Sequence, residues 1–338
     1  MKVKTSDFKE AINAVKPALA KQEIIEQSTS FAFLGKEVAA YNDELCIRCP
    51  LPKGLKLKGV IKSEELLKLL PKLSKEEFEI DITENEVVMK AGRAKAGFAL
   101  ASEILLPLDE EVAEMGDWEE LPATFGTALK FAANTAAKGD SDPKLLCVHI
   151  VESGIVEATD NYRMVIWDFG EALGISEAMI RASSAKEIAS LMPTHTASGE
   201  GWVHFKNEEG VIISCRLIDE QFIDTSRINT GFDGKKITFP KEILEVLDKA
   251  SVIGQKREDS GVTLAFKNGR ILVTSESEST WFKETVPYKG VEGFSFAIQP
   301  YLLKDILKDN MECVINKGML KFSSDQWVYI TSTREYTE

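Results

Sequence analysis

Residues 145–169, LLCVHIVESGIVEATDNYRMVIWDF, hold the pattern from which the rest of the chain is read. Apolar side chains alternate at Leu146, Val148 and Ile150, Glu152-Ser153-Gly154 supplies a turn, and a return strand enters ATDNYRM. The stretch therefore reads as a β-hairpin. Residues 158–164 place polar and aromatic groups where a buried strand would carry Val or Ile, and a break of that kind marks a turn or a site. A helix followed by such a hairpin recurs five more times. A repeat on this scale sets the architecture before any single motif does.

Moving outward, helices are expected to start near Ser6, Ser63, Thr124, Ser184, Pro240 and Gln299, a period of roughly 55 to 62 residues. The first, from Ser6 to Leu19, aligns Phe8, Ile12, Val15 and Leu19 on one face. Ser63 reads as a helix cap and Pro240 as a first-turn proline. The hairpin GVTLAFKNGRILVTSE turns at Lys-Asn-Gly, and MECVINKG, MLKFSS and WVYITST close the chain as strands. The acidic stretch LDEEVAEMGDWEELP marks a boundary. The expected fold class is α+β: three similar domains, 1–118, 119–234 and 235–338, each made of two helix-plus-hairpin units.

The chain has 338 residues, 44% hydrophobic and 28% charged, which fits a soluble globular protein of two or three domains. No apolar run reaches the roughly 18 to 20 residues of a membrane span. The polar start MKVKTSDFKE lacks a signal-peptide core, so the expected location is cytoplasmic. A net charge of −13 argues against a surface-wide basic field, while leaving room for a local basic face. Five scattered cysteines do not make a disulfide scaffold. Cys46 and Cys49 form a CxxC in a strand-like segment, where residues three apart point to opposite faces, so this pair reads as structural.

No enzyme signature stands out. Of the three histidines, His149 and His204 sit in alternating strands and read as half-exposed; none has metal-ligand spacing. No GxSxG or GxxxxGK occurs, so neither catalysis nor a cofactor is expected.

Each helix carries lysine on its non-core face: Lys9 and Lys16 with nearby Lys21, Lys68 and Lys72, Lys130 and Lys138, Lys186, Lys241 and Lys249, Lys304 and Lys308. If the repeats are arranged pseudo-symmetrically, these lysines converge on one surface with the carboxylates elsewhere. Such a surface holds a phosphate backbone without reading its sequence.

At this point the chain resembles the bacterial-type DNA sliding clamp, the β subunit of DNA polymerase III, as a shorter and divergent member. ATDNYRM at 158–164 is similar to that family's ATD-G-H-R-L signature, with Asn161 for Gly, Tyr162 for His and Met164 for Leu. LIDEQFID at 217–224 and FSFAIQPYLLKDIL at 294–307 resemble two further segments in the expected order. The resemblance implies a head-to-tail homodimeric ring around duplex DNA, loaded by a separate ATPase and tethering a polymerase as a processivity factor. It also implies a partner-peptide cleft between domains 2 and 3, formed by Leu146, Thr159, Asn161, Tyr162, Arg163, Met164, Ile228, Val328 and Ile330. The family's pocket proline matches Thr230, and its tail M-P-M-R-L is replaced by ITSTREYTE, which implies an altered peptide preference. The alternative is a clamp-like scaffold that binds proteins with no DNA in its channel.

Charge suggests where a ring would close. Arg93 and Lys95, with Phe98 and Leu100, form a basic end; Glu276 and Glu278 form an acidic one. Heterologous contacts between unlike ends close rings, and opposite charge fixes their register.

Overall fold

A computed structural model describes residues 1–109, 112, 114–225, 232–254 and 261–337. In chain order it runs β1 (Lys2–Lys4), α1 (Thr5–Val15), β2 (Ser30–Gly35), β3 (Glu37–Tyr41), β4 (Leu45–Pro50), β5 (Leu57–Lys62), α2 (Ser63–Leu69), β6 (Glu77–Ile82), β7 (Glu86–Ala91) and β8 (Ala94–Ala99). There follow β9 (Glu119–Glu120), α3 (Phe125–Thr135), β10 (Cys147–Val151), β11 (Ile155–Thr159), β12 (Arg163–Asp168), β13 (Ala178–Arg181), α4 (Ala182–Ser190), β14 (His195–Gly199), β15 (Trp202–Lys206) and β16 (Ile212–Arg216). The last third is β17 (Lys235–Thr238), α5 (Ile243–Gly254), β18 (Val262–Lys267), β19 (Arg270–Glu276), β20 (Trp281–Pro287), β21 (Phe294–Ile298), α6 (Pro300–Lys304), β22 (Glu312–Asn316), β23 (Met319–Ser323), β24 (Trp327–Ser332) and β25 (Arg334–Thr337).

The chain is therefore six successive β-α-β-β-β repeats followed by one extra strand. The α+β class and the sixfold repeat hold, but a helix with a hairpin is only part of each repeat: one strand precedes every helix and three follow it, as the three closing strands of the last repeat already suggested. Four of the six leading strands, β1, β9, β13 and β17, have four residues or fewer, so their alternation is too brief to register. Among the described residues no helix is long and apolar enough to cross a membrane.

The residues cluster into two compact units, one of 1–133, 148–154 and 170–220, the other of 134–147, 155–169 and 221–338. In the first, the strands lie in the orders β1-β6-β7-β8 and β5-β2-β3-β4-β16-β15-β14-β9, with β13 beside β10. In the second they lie in the orders β11-β12-β24-β23-β22-β17 and β20-β19-β18-β21-β25. Leading strands are exchanged: β1 pairs with β6 and β5 with β2, and likewise β9 with β14, β17 with β22 and β21 with β18. A lone repeat thus cannot complete its sheet, and the repeats interlock two by two. Two junctions then join sheet to sheet, β4 to β16 and β12 to β24, while β8 and β20 each end a sheet.

Aromatic residues hold each unit from within. Phe8 packs edge-on to Phe78 at 5.4 Å and Phe125 stacks on Phe205 at 5.7 Å in the first unit. In the second, Phe266 meets Phe294 at 4.4 Å, Tyr288 at 5.1 Å and Phe296 at 5.8 Å. Edge-to-face and offset pairs of this kind add to what area burial supplies.

Several local expectations are corrected. The first α-helix stops at Val15, because Pro17 has no N–H to continue the ladder, and Lys16–Ala18 tighten into a 3-10 turn. Ser63 is the first helical residue, and its hydroxyl donates to the Thr29 carbonyl at 2.6 Å instead of capping. Pro240 precedes α5 by a turn, its carbonyl accepting from the Ile243 N–H at 3.0 Å. The fourth helix begins at Ala182, two residues before Ser184. Leu146 belongs to a 3-10 turn, Pro143–Leu146, ahead of β10. The turn at 152–154 forms as expected, closed by Gly154 N–H to the Val151 carbonyl at 2.9 Å. Gly154 has φ +99°, and a Cβ there would stand 1.9 Å from the Glu171 carbonyl oxygen, so only glycine fits. His149 and His204 are buried, not half-exposed.

Candidate functional site

The 158–164 stretch folds as the end of β11, a turn at 160–162 and the start of β12. The sequence dictates this turn. Asp160 Oδ1 accepts from the backbone N–H groups of Tyr162 (3.0 Å) and Arg163 (2.9 Å), and Thr159 Oγ1 accepts from Asn161 N–H at 3.1 Å. Asn161 adopts φ +72°, the left-handed conformation that asparagine tolerates better than other residues with a Cβ. Asparagine thus does here what the glycine of the similar signature would do.

Arg163 is the centre of the site. Only 5% of it is exposed. Its Nε donates to Asp160 Oδ2 at 3.0 Å, one terminal nitrogen to Asp305 Oδ2 at 2.9 Å, and the other to the Asn134 carbonyl at 2.8 Å, at the end of α3. The Tyr301 ring lies 5.2 Å from the guanidinium carbon. Burial works against the charge, and Tyr329, Asp305 and Asp160 more than offset it, so the guanidinium is held firmly ionised. A buried arginine with all its faces occupied locks the turn, the end of α3 and the region after α6 into one geometry. Tyr329, fully buried, donates its hydroxyl to the Leu302 carbonyl at 2.8 Å, and burial pushes this phenol up.

Two tyrosines stand at the surface of this lock. Tyr162 is 53% exposed and Tyr301 is 43% exposed. The Tyr162 carbonyl accepts from Ser332 N–H at 2.8 Å and Ser332 Oγ at 3.1 Å, which ties the turn to the end of β24. Burial, with Asp160 nearby, pushes the Tyr301 phenol up.

Of the residues implied for a cleft, Met164 faces Ile330 across the β12·β24 ladder, while Arg163 faces Thr331 and Val328 faces Ile166; Thr159 ends β11, and Asn161 and Tyr162 form the turn beside this ladder. Met164, Ile330 and Thr159 are buried, and Val328 and Leu146 are half-buried. Ile228 and Thr230 lie outside the described residues. Sequence reasoning missed Tyr301, Asp305 and Asn134. Tyr301 and Asp305 lie inside the quoted segment 294–307, and an unpaired arginine in a buried strand was the signal that a carboxylate partner had to exist.

The helix lysines divide into two groups. Lys16, Lys21, Lys72, Lys130, Lys138 and Lys308 are exposed and, among the described residues, make no ion pair. Others are engaged: Lys68 with Glu64 at 2.5 Å, Lys304 with Asp248, and Lys249 with Glu245 at 3.0 Å and Glu284 at 3.3 Å. Lys9 donates to the Leu73 carbonyl at 2.9 Å, and Lys186 is half-buried. The expectation that carboxylates lie away from these lysines is thus corrected: i,i+4 spacing brings Glu64 to Lys68 and Glu245 to Lys249, and Asp248 and Glu284 approach from other elements.

At the two sheet ends, Arg93, Lys95, Glu276 and Glu278 are exposed. Phe98 and Leu100 are not available to a partner: they are 8% and 7% exposed, folded into the first unit's own core.

No family profile and no curated protein matches the sequence. Solved structures do. The chain is similar to the DNA polymerase III β subunit of Thermotoga maritima (18% identity, 99% of this chain and 98% of that one, TM-score 0.78). It is similar to the β subunit of Streptococcus pyogenes DNA polymerase (14% identity, 99% of both chains, TM-score 0.83) and to the DNA polymerase sliding clamp of Bacillus subtilis (18%, 99% and 98%, 0.79). The chain has the sliding-clamp fold over its whole length, as the 158–164, 217–224 and 294–307 segments suggested.

Proposed function

We propose that this chain is a DNA sliding clamp: a homodimeric ring that encircles duplex DNA and tethers a polymerase through the 160–164 cleft. The observation that carries this reading is the pair of unpaired sheet ends. Three interlocked pairs of repeats, read as domains 1–118, 119–234 and 235–338, offer three junctions of one kind. Two are made inside the chain, by β4 with β16 and by β12 with β24, and the third, β8 with β20, is left open. An open strand edge is a template for pairing with another chain. Two copies related head to tail would satisfy both β8·β20 junctions and close a ring. Arg93 and Lys95 on one side and Glu276 and Glu278 on the other set its register.

Duplex DNA would be held by exposed helix lysines, each weakly, so that the ring slides. Tethering raises the local concentration of the polymerase at the primer end. No catalytic step is assigned to the chain, and opening the ring belongs to a separate loader. The ion pairs at Lys68, Lys249 and Lys304 favour the second reading, a clamp-like protein scaffold, because they leave fewer free cations for phosphate.

Light scattering across a dilution series, followed by retention on nicked circular against linear DNA, tests the proposal. A dimer retained on circles and lost from linear ends supports it. A persistent monomer, or equal loss from both DNAs, removes the ring. Reversing Glu276 and Glu278 to lysine should weaken the dimer at least several-fold.

A further inference from the structure

The outward face of the five-stranded sheet in the second unit bears a groove that the clamp reading leaves unused. Register places one row across all five strands, with a bulge in its last step between β21 and β25. Lys283 on β20 faces Thr274 on β19, Thr274 faces Thr263 on β18, Thr263 faces Ala297 on β21, and Ala297 faces Arg334 on β25. Their neighbours Val262, Leu264, Val273, Phe296 and Ile298 are buried on the opposite face, so the row points outward. It has small residues in the middle and a cation at each end.

These residues line a concavity of about 770 Å³, together with Gly261, Glu276 and Trp281. That volume is within the range of ligand sites. Trp281, directly opposite Glu276, is 74% exposed and forms one wall. Ser275 borders the groove only through its backbone, since its side chain is buried on the opposite face with Val273. The far wall exists only because the chain's last strand, β25, is added beside β21 and carries Arg334 there.

We propose that this groove binds an extended acidic peptide segment of a partner protein, lying across the strands with a carboxylate at each end and an apolar side chain against Trp281. The geometry gives the spacing. Four inter-strand steps separate Lys283 from Arg334, about 19 Å at 4.8 Å each. An extended peptide rises about 3.3 Å per residue, so its two carboxylates should be about six residues apart. The hydroxyls of Thr263 and Thr274 lie between, placed for the peptide backbone. Glu276 beside Trp281 disfavours a single-stranded nucleic acid, since a base stacked on that indole would bring its phosphate to a carboxylate. Edge pairing of β20 would use its backbone groups, and of the lining residues only Glu276, at the rim, is shared with the proposed ring contact.

The test is fluorescence anisotropy with a labelled heptapeptide bearing glutamate at its first and last positions, phenylalanine at its centre, and glycine and serine between. Saturable binding is expected, weakened about tenfold by K283E or R334E, as for the loss of one charge-assisted contact. Thr263→Phe, which fills the floor without altering charge, should weaken it as much at an unchanged melting temperature. The double variant K283E/R334E should prefer the same peptide with lysine ends. Equal binding of a peptide whose glutamates are three residues apart would overturn the spacing argument. So would binding untouched by Thr263→Phe, or an oligothymidine that binds through Lys283 and Arg334 while the peptide does not.

Discussion

Two four-residue turns, 42–45 in the first unit and 160–163 in the second, are closed by the same hydrogen bonds and end in opposite chemistry. In each, the first residue's N–H donates to the fourth residue's carbonyl, at 3.0 Å from Asn42 and 3.2 Å from Asp160. In each, the first side chain accepts from the third and fourth N–H groups: Glu44 and Leu45 on Asn42, Tyr162 and Arg163 on Asp160. The second residues are left-handed, Asp43 at φ +74° and Asn161 at φ +72°. The third carbonyls each accept from a neighbouring strand, from Arg216 N–H at 3.0 Å and Ser332 N–H at 2.8 Å. The fourth residue is buried Leu45 in one turn and buried Arg163 in the other. One backbone device thus serves both junctions, and the second became a candidate site through two side chains: an arginine beneath the turn and a tyrosine where the first carries Glu44.

The largest effect should come from removing that arginine. Arg163→Met leaves Asp160, Asp305 and the Asn134 carbonyl without their cation in a largely buried place, and breaking such a cluster costs about 3–5 kcal/mol. Leu45→Met, which keeps volume and polarity, should cost less than about 1.5 kcal/mol. Urea unfolding of the two variants measures the difference, and equal midpoints would mean that Arg163 is no more than filler.

Acid should strike the other junction. His204 on β15 lies opposite Ser214 on β16, its Nδ1 2.8 Å from the serine oxygen, and Ser214 lies opposite Cys46 on β4. Burial, with Arg48 nearby, lowers the imidazole from 6.5 to about 4. The unfolded chain then binds the proton more readily than the folded one between those values. Stability from this group is complete above pH 6.5 and is lost as pH falls toward 4, by up to about 3 kcal/mol. Melting curves at pH 7 and pH 4.5 should show a slope for the wild type that His204→Gln flattens. An identical slope in the variant would place the acid sensitivity elsewhere.

The same contrast explains what the sequence made legible. The period of the helices and the break at ATDNYRM were visible because side-chain alternation is local and strong there, and both led to the sliding-clamp fold. The exchange of leading strands was not, since β1, β9 and β17 have four residues or fewer and pair with distant segments. Asp305 and the Asn134 carbonyl escaped for the same reason, lying 142 and 29 residues from Arg163. The helix lysines were legible as a pattern. Their partners Glu284 and Asp248 were not, because they approach from other elements.

The left-handed residues offer a finer comparison. Asn161→Val and Asp43→Val each force a β-branched side chain into φ near +70°, at a cost of about 1–2 kcal/mol, and the two should cost alike if the turns are equivalent. Asn161→Gly should change stability by only a few tenths of a kcal/mol. Thermal melts of the three variants decide this. A much larger loss at Asn161 than at Asp43 would mean that its side chain carries contacts beyond the shared turn.

Least visible in stability, and most informative about the cleft, is Tyr162→Ala. The side chain is 53% exposed, and the turn is held by backbone groups, Asp160 and Ser332, none of which the change removes. Unfolding should therefore move by no more than about 0.5 kcal/mol, as expected of an exposed position. Glu44→Ala, its counterpart in the first unit, should be equally silent. If the second turn tethers a polymerase, Tyr162→Ala should shorten products in primer extension with the replicative polymerase of the same source, and Glu44→Ala should leave them unchanged. A rigidly mounted aromatic with little conformational freedom to lose is the kind of residue on which binding energy concentrates. Shortening by both variants would trace the effect to the shared turn, and shortening by neither would leave Tyr162 as an ordinary surface residue.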